Sequence, residues 1–231
     1  MSPNLLFSLG PFPIYTFGAL IAASFLLGTF LFWRFGKKEG FSSDDLFDLI
    51  LITSFTALVG GRALHLALFG GVDHFIDLLR VGEGMLWVGA FVFGFTALAV
   101  FVWLKKWSFF RIGDLTALAL AFGQSVGFLG AELIDYIPFA FYPALGYLVL
   151  GGLLWFLLRR ASPGVPFFLY LVFSGVFIYF AEWLRPEKAI WMGVNVNFVF
   201  GFLLSLLGVL GLVVILIAKK RPFRVKKDSA R

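Results

Sequence analysis

The residues of this chain that could carry out chemistry are charged side chains that lie inside otherwise apolar stretches. Arg62 and His65 stand three residues apart in an apolar run from Leu46 to Phe69, and a helix carries residues at that spacing on one face. A guanidinium offers a fork of donors that suits phosphate, and a neutral imidazole can accept a proton near neutral pH. The pair indicates anion binding, acid–base chemistry, or a polar contact at a helix end.

Two further apolar runs have charged residues at their ends. Glu182 and Arg185 again have the spacing of neighbours on one helix face, and Glu132 precedes Asp135 by three residues. A carboxylate can take up a proton from a substrate, and arginine binds phosphate through two parallel hydrogen bonds. On these charges alone, Glu132 and Glu182 are candidate partners for an arginine on another helix.

The amino-acid composition indicates whether water or lipid surrounds these charged residues. Hydrophobic residues make up 61% of the 231 residues, charged residues make up 14%, and the mean hydropathy is +0.96. Soluble globular proteins are about 45–50% apolar and about a quarter charged. The sequence therefore predicts an all-α, polytopic integral membrane protein.

The composition also restricts cofactors and partners. The chain has no cysteine and only two histidines, so a disulfide, a thiolate nucleophile and a Cys-ligated metal are excluded. We expect no metal and no other cofactor. The net charge of +6 comes from connections and the tail, and membrane topology explains it better than a nucleic-acid partner does.

Seven stretches are long and apolar enough to cross a bilayer, whose hydrocarbon core of roughly 30 Å needs about 20 residues of helix. They fall near residues 12–33, 46–69, 85–104, 112–131, 142–158, 165–184 and 193–218. We expect residues 1–218 to form a single membrane domain and residues 219–231 a basic cytoplasmic tail.

The distribution of Lys and Arg predicts the orientation. The connections after the first, third and fifth spans, together with the tail, hold 15 of the 19 cations, whereas the opposite side holds only Arg80, Arg185 and Lys188. By the positive-inside rule the N-terminus is outside and the C-terminus inside. An odd number of spans requires that arrangement.

The cost of a charge in a membrane leaves two interpretations open for Arg62. An ionisable group at membrane depth costs on the order of 3 kcal/mol and normally faces a partner or a wet cavity. In the first interpretation Arg62 pairs with Glu182 or Glu132 and joins helices. In the second, Arg62 and Arg185 bind a phospholipid phosphate at the depth of the outer leaflet.

Two local patterns predict helix contacts. Gly123, Gly127 and Gly130 share one helical face in the fourth span, which favours close packing of another helix or the approach of a ligand to the backbone. Asp114 begins the same span at its inner end, where we expect it to cap a helix.

Six stretches, spread from about residue 6 to residue 218, carry a family resemblance. They are LFSLGPFPIYTFG, SSDDLFDLIL, VGGRALHLALF, EGMLWVGAF, FFRIGDLTALALAFGQSVGFLG and GVFIYFAEWLRPEK. Their order and spacing resemble those of the bacterial prolipoprotein diacylglyceryl transferases, and the seven-span topology with an outer N-terminus is similar.

The resemblance implies a multi-pass enzyme of the bacterial inner (cytoplasmic) membrane. Such an enzyme transfers the diacylglyceryl group of phosphatidylglycerol to the lipobox cysteine of a prolipoprotein, so that a thioether forms and glycerol phosphate leaves. Its partners are phosphatidylglycerol, the prolipoprotein signal peptide and membrane lipids. The cysteine belongs to the substrate, so its absence from this chain is no objection.

The resemblance also implies a set of site residues. Arg62 and Arg185 face the leaving phosphate, and one of His65, Glu132 and Glu182 assists the thiol. The lipid-binding set comprises Arg62, Arg185, Tyr147, Gly61, Gly89 and Gly130.

At several family positions this chain carries other residues. Val88 stands in place of a histidine, and Phe128 and Ile178 stand in place of arginines. We therefore expect slow transfer. The alternative is a catalytically silent relative that binds phospholipid or lipoprotein precursors, and a small-solute transporter is disfavoured because the sequence shows no inverted repeat.

Overall fold

Seven α-helices make up most of the computed structural model, which describes residues 5–9, 12–70, 75–80, 84–133, 139–184 and 188–220. The helices are α1 (Thr16–Lys38), α2 (Ser43–Phe69), α3 (Trp87–Leu104), α4 (Phe109–Leu133), α5 (Phe141–Leu157), α6 (Val165–Leu184) and α7 (Val196–Lys220). Strands β1 (Leu5–Leu9) and β2 (Phe12–Tyr15) form one hairpin, and β3 (Ile190–Trp191) and β4 (Val194–Asn195) form another. A short 3₁₀ helix covers Phe75–Leu79.

The all-α, polytopic fold is confirmed. Six of the described helices are long and apolar enough to cross a membrane. The remaining helix, α5, has 17 residues and is about 26 Å long at 1.5 Å per residue, which is close to the thickness of a hydrocarbon core. Each of the seven predicted segments therefore coincides with one helix.

The first span was predicted to begin too early. Residues 12–15 form strand β2, which pairs antiparallel with β1, and α1 begins only at Thr16. Pro13 has no backbone N–H and fits an edge strand better than a helix interior. At the other end of the chain, α7 continues to Lys220, and the rest of the predicted tail lies outside the described residues.

Helix α4 occupies the centre of the bundle. It packs against α1, α3, α5 and α6, and a larger share of its apolar span is buried than in any of the other five long helices. The outer faces of the surrounding helices expose large apolar side chains, such as Phe55, Trp155 and Phe202. Such apolar surfaces are stable in contact with lipid chains, which are as apolar as the side chains themselves.

The N-terminal end of α4 joins three other helices. The buried carboxylate of Asp114 accepts hydrogen bonds from the backbone N–H groups of Gly164 and Phe167, both at 2.9 Å. Arg111 forms an ion pair with Glu39 and donates to the carbonyl of Leu158 at 2.8 Å. Asp114 therefore caps a helix as expected, but the helix is α6 rather than its own.

Removing the Asp114 carboxylate is expected to destabilise the protein. Asp114→Ala leaves two buried N–H groups of the α6 terminus without an acceptor, and each costs about 1–3 kcal/mol. We expect a melting temperature in detergent at least 5 °C below that of the wild type. The control is Asp45→Ala, because among the described residues Asp45 pairs with Lys105 at the surface, and exposed ion pairs stabilise little. Equal melting of the two variants would contradict the cap.

The orientation of the helices stays a prediction, and reporter fusions can test it. Because the cations cluster in alternate connections, fusions after residues 38, 106, 160 and 225 should report the cytoplasm. A fusion after residue 80 should report the outer side. Outer-side activity at any two of the first four positions would overturn the assignment.

Candidate functional site

Three glycines allow α2 and α3 to come into close contact. A Cβ atom at Gly89 would overlap the carbonyl oxygen of Gly60 and lie 2.7 Å from the Cβ of Leu64. A Cβ atom at Gly61 would lie 2.9 Å from the Met85 side chain. The space beside Gly61 and Gly89 is thus filled by the neighbouring chain segment, and a lipid-binding role for these glycines stays a prediction.

Gly130 likewise lies at a helix contact. A Cβ atom there would lie 3.0 Å from the Cβ of Leu20 in α1. About two turns earlier in α4, the carbonyl of Gly123 accepts a hydrogen bond of 2.6 Å from the Ser24 hydroxyl. These contacts support the packing interpretation of the glycine face on α4.

Arg62 is buried and binds the connection between α2 and α3, which we call the outer connection after its predicted side. Its Nε donates to the carbonyl of Asp77 at 3.0 Å, and its Nη1 donates to the carbonyl of Gly84 at 3.1 Å. Both acceptors are backbone atoms, which the sequence could not identify. The arginine therefore holds the connection against the end of α2.

His65 contacts the same connection. A Cβ atom at Gly84 would lie 2.6 Å from the His65 Nε2, and Gly84 has a φ of +120°, so the imidazole edge packs directly against this glycine. The other side of the ring contacts Phe69, with 5.6 Å between ring centroids. Arg62 and His65 thus lie together, as their spacing predicted, and both contact Gly84.

Glu132 lies in the last turn of α4 and links it to α5. Glu132 is half-buried at the end of α4 and accepts a hydrogen bond of 3.1 Å from the backbone N–H of Phe141, which is the first residue of α5. Glu132 therefore satisfies a free donor at the start of α5. Arg185 lies outside the described residues, and its predicted role is carried forward as a proposal.

Glu182 is the centre of a buried polar cluster where α6 meets α7. One carboxylate oxygen accepts from the Nδ2 of Asn197 at 2.9 Å, and the other accepts from the Nδ2 of Asn195 at 3.1 Å. Both Glu182 and Asn197 are almost fully buried.

Tyr147 lies close to this cluster. It is fully buried, its hydroxyl shares a hydrogen bond of 2.9 Å with the Oγ of Ser174, and its ring stacks on Phe128 with 5.5 Å between centroids. The neighbouring hydroxyl of Tyr170 donates to the Oε1 of Gln124 at 2.8 Å. A band of hydrogen-bonding side chains therefore crosses the interior between α4, α5 and α6.

A small cavity of about 30 Å³ adjoins this band, and we call it the polar cavity because the side chains of Gln124, Glu182 and Asn197 are among those that line it. Its lining residues come from five helices: Trp87, Gln124, Phe128, Tyr147, Ile178, Ala181, Glu182 and Asn197. Of the candidate residues that the structure describes, Tyr147 and Glu182 line this cavity, whereas Arg62, His65 and Glu132 do not. None of the described lining residues is a cation.

An apolar cavity of about 330 Å³ adjoins the polar one. It lies between α1, α2, α3 and α4, and the two cavities share Trp87 and Gln124 as lining residues. The hydroxyls of Thr53 and Thr116 at its wall are bonded to carbonyls of their own helices. The volume falls in the range of small-molecule sites, and the lining suits a hydrocarbon chain.

Three residues of these cavities were missed by the sequence analysis. Trp87, Gln124 and Asn197 carry no charge, and single polar or aromatic residues near the end of a span do not stand out. Trp at a helix end can mark a membrane interface, which is the one feature that could have indicated Trp87. Across the described part of the chain, no group of three His, Cys, Asp or Glu side chains could hold a metal ion.

Comparisons with known proteins agree on one family. The family model described as "Prolipoprotein diacylglyceryl transferase" matches residues 4–218. A protein of Bacillus cytotoxicus named phosphatidylglycerol–prolipoprotein diacylglyceryl transferase is 28% identical over 78% of this chain and 80% of its own length. Proteins with the same name from Clostridium tetani and Staphylococcus saprophyticus are each 26% identical, over 79% and 97% of this chain and 85% and 91% of their own lengths.

Proposed function

The chain belongs to the prolipoprotein diacylglyceryl transferase family, and we propose on that premise that it transfers the diacylglyceryl group of phosphatidylglycerol to a prolipoprotein cysteine. The thiol sulfur forms a bond to the glyceryl carbon that carries the phosphate, and the carbon–oxygen bond to the phosphate breaks. Glycerol phosphate leaves with the electron pair, and the thiol proton passes to a base. The observation that carries the proposal is the pair of adjoining cavities, one apolar and one polar.

The apolar cavity supports the lipid part of the proposal. An acyl chain is a ligand without hydrogen-bonding groups, and the wall hydroxyls of Ser24, Thr53 and Thr116 are already bonded to backbone carbonyls, so a hydrocarbon beside them leaves those groups satisfied. The cavity reaches Trp87, the first residue of α3, and Gln124 in α4, where we place the glycerol backbone of the lipid. Membrane lipids are therefore the proposed partners, together with the prolipoprotein signal peptide.

The phosphate part of the proposal rests on arginine. We propose that Arg62 and Arg185 stabilise the leaving phosphate, because a guanidinium binds phosphate bidentately and remains charged. Arg62 also donates to the carbonyl groups of Asp77 and Gly84, so the same guanidinium would hold the connection and face the phosphate. Tyr147, Gly61, Gly89 and Gly130 are retained as the proposed lipid-binding set.

The lining of the polar cavity supports the expectation of slow transfer. Phe128 and Ile178, the positions at which the family resemblance places arginines, both line it. A missing electrostatic donor typically costs 10²–10³ in rate. The same observation favours the second candidate function, a silent relative that binds phosphatidylglycerol or lipoprotein precursors without transfer.

A transfer assay tests the proposal and ranks the candidate catalytic residues. Purified protein is incubated with phosphatidylglycerol and a lipobox peptide, and the thioether product is measured by mass spectrometry. We expect slow product formation, with the largest loss in Glu182→Gln, because Glu182 alone of the three candidates lines the polar cavity. His65→Ala and Glu132→Gln are the comparison variants.

The outcomes separate the two functions. A loss confined to His65→Ala would move the thiol-assisting role to His65. No thioether product, with phosphatidylglycerol still bound, would favour the silent relative. Complementation of a bacterial strain depleted of its own transferase tests the activity and the proposed inner-membrane localisation together.

A further inference from the structure

Gln124 has an oriented amide group with an unused donor. The hydroxyl of the buried Tyr170 donates a hydrogen bond of 2.8 Å to the Gln124 Oε1, so the Nε2 lies on the side of the amide that is turned away from Tyr170. This nitrogen carries two N–H groups and accepts nothing. Among the described residues, the Nε2 has no hydrogen-bond partner.

The Nε2 of Gln124 is also accessible. In the described part of the chain, the Oδ1 of Asn197 is the one side-chain atom that is both unpaired and closed to water. The Nε2 is unpaired but not closed in this way, so a small group can reach it from the cavities that Gln124 lines. The wall hydroxyls of Ser24, Thr53 and Thr116 differ, because each already donates to a backbone carbonyl.

Gln124 lies where the two cavities adjoin, and it lines both of them together with Trp87. The larger cavity is mostly apolar, and none of its described lining residues carries a charge. A hydrocarbon chain that passes an unpaired N–H leaves that donor without a partner, which is unfavourable away from water. The junction therefore suits a ligand that has a hydrocarbon chain with a neutral hydrogen-bond acceptor at its head.

We propose that Gln124 binds an ester carbonyl of the lipid, an assignment that rests on the proposed function. An ester carbonyl accepts hydrogen bonds and donates none, and it joins each acyl chain to the glycerol backbone. With the acyl chain in the apolar cavity, the Nε2 donates to this carbonyl and fixes how deeply the chain enters. A few well-placed polar groups in an apolar pocket commonly orient a ligand in this way. Gln124 thereby makes the protein selective for ester-linked over ether-linked lipids.

A competition between two forms of phosphatidylglycerol tests the assignment. One form has two ester-linked chains and the other has two ether-linked chains of the same length, so the headgroup and the charge are identical. The full-length protein in detergent is offered equal amounts of both, loosely held lipids are released by collisional activation, and the lipid that stays bound is identified by native mass spectrometry. We expect the wild type to retain the ester-linked form about fivefold over the ether-linked form, the size of one hydrogen bond. Gln124→Met, which keeps the length of the side chain but has no N–H, should reduce the ratio to about one.

The control removes a polar group that lines neither cavity. Thr96 lies in α3 and its hydroxyl donates to the carbonyl of Val92 at 2.7 Å, so Thr96→Val should keep the wild-type ratio. A fivefold preference that survives Gln124→Met would assign the selectivity to another group and overturn the inference. Equal retention of both lipids by the wild type would overturn it without requiring any variant to fold, and the proposed function would stand because lipid is still bound. Retention of neither lipid would overturn the inference and the proposed lipid site together.

Discussion

Gly89→Ala is expected to separate α2 from α3 and to lower the melting temperature by roughly 10 °C, the equivalent of about 3 kcal/mol. The added methyl would overlap the carbonyl oxygen of Gly60 and press on the Cβ of Leu64 at 2.7 Å. Neither group can rotate away, because both are fixed to the α2 backbone. Small residues at such contacts are what allow helices to approach closely in a membrane.

The matched control for this prediction is Gly152→Ala. Gly152 lies in α5, and a Cβ atom there would meet nothing within 4 Å. Alanine in a helix is more favourable than glycine by roughly 0.5–1 kcal/mol, so the control should melt at or slightly above the wild-type temperature. If Gly89→Ala melts normally but loses bound phosphatidylglycerol, Gly89 contacts lipid, as the family resemblance implies.

Arg62→Gln is expected to destabilise the outer connection and to reduce lipid co-purification at the same time. Hydrogen bonds from a charged donor contribute about 1.5–3 kcal/mol each, and the variant loses those to the carbonyls of Asp77 and Gly84. We expect faster proteolysis of residues 70–86 and a lower melting temperature. Phosphatidylglycerol that co-purifies with the protein should decrease, because the proposed phosphate ligand is removed.

Arg80→Gln is the matched control. Arg80 is exposed and pairs only weakly with Asp77, at 3.4 Å, and exposed ion pairs contribute little. Both proteolysis and bound lipid should therefore remain at the wild-type level. If Arg62→Gln loses lipid without any change in proteolysis or melting, the guanidinium serves the headgroup alone. If proteolysis changes while lipid binding does not, it serves the connection alone.

The helical architecture could be predicted from the sequence because lipid leaves the backbone few choices. Without water to hydrogen-bond, each spanning segment must satisfy its own N–H and C=O groups, so about 20 consecutive apolar residues are enough to locate a helix. The predicted segments coincide with α1 to α7. The start of α1 differed because Pro13 disfavours a helix interior, and residues 12–15 pair with β1 instead.

The sequence also identified Arg62 and Glu182 as unusual, but only the tertiary structure decided what they contact. Arg62 donates to backbone carbonyls 15 and 22 residues away, and every residue carries such a carbonyl, so residue types could not identify the acceptors. The glycines posed a similar problem. Their spacing predicts a packed face, but which helix packs there depends on how the seven helices are arranged.

The polar cavity is entirely a product of that arrangement. Asn197 is an unremarkable residue at the start of α7 until the packing of α6 against α7 brings it to Glu182. The composition and the apolar runs thus predicted that the protein lies in a membrane and where its helices are, and the order of the motifs predicted its family. These features depend on local properties of the chain. The positions of the cavities, the orientation of Asn197 and the partners of Arg62 depend on contacts between distant segments, and only the folded bundle decides them.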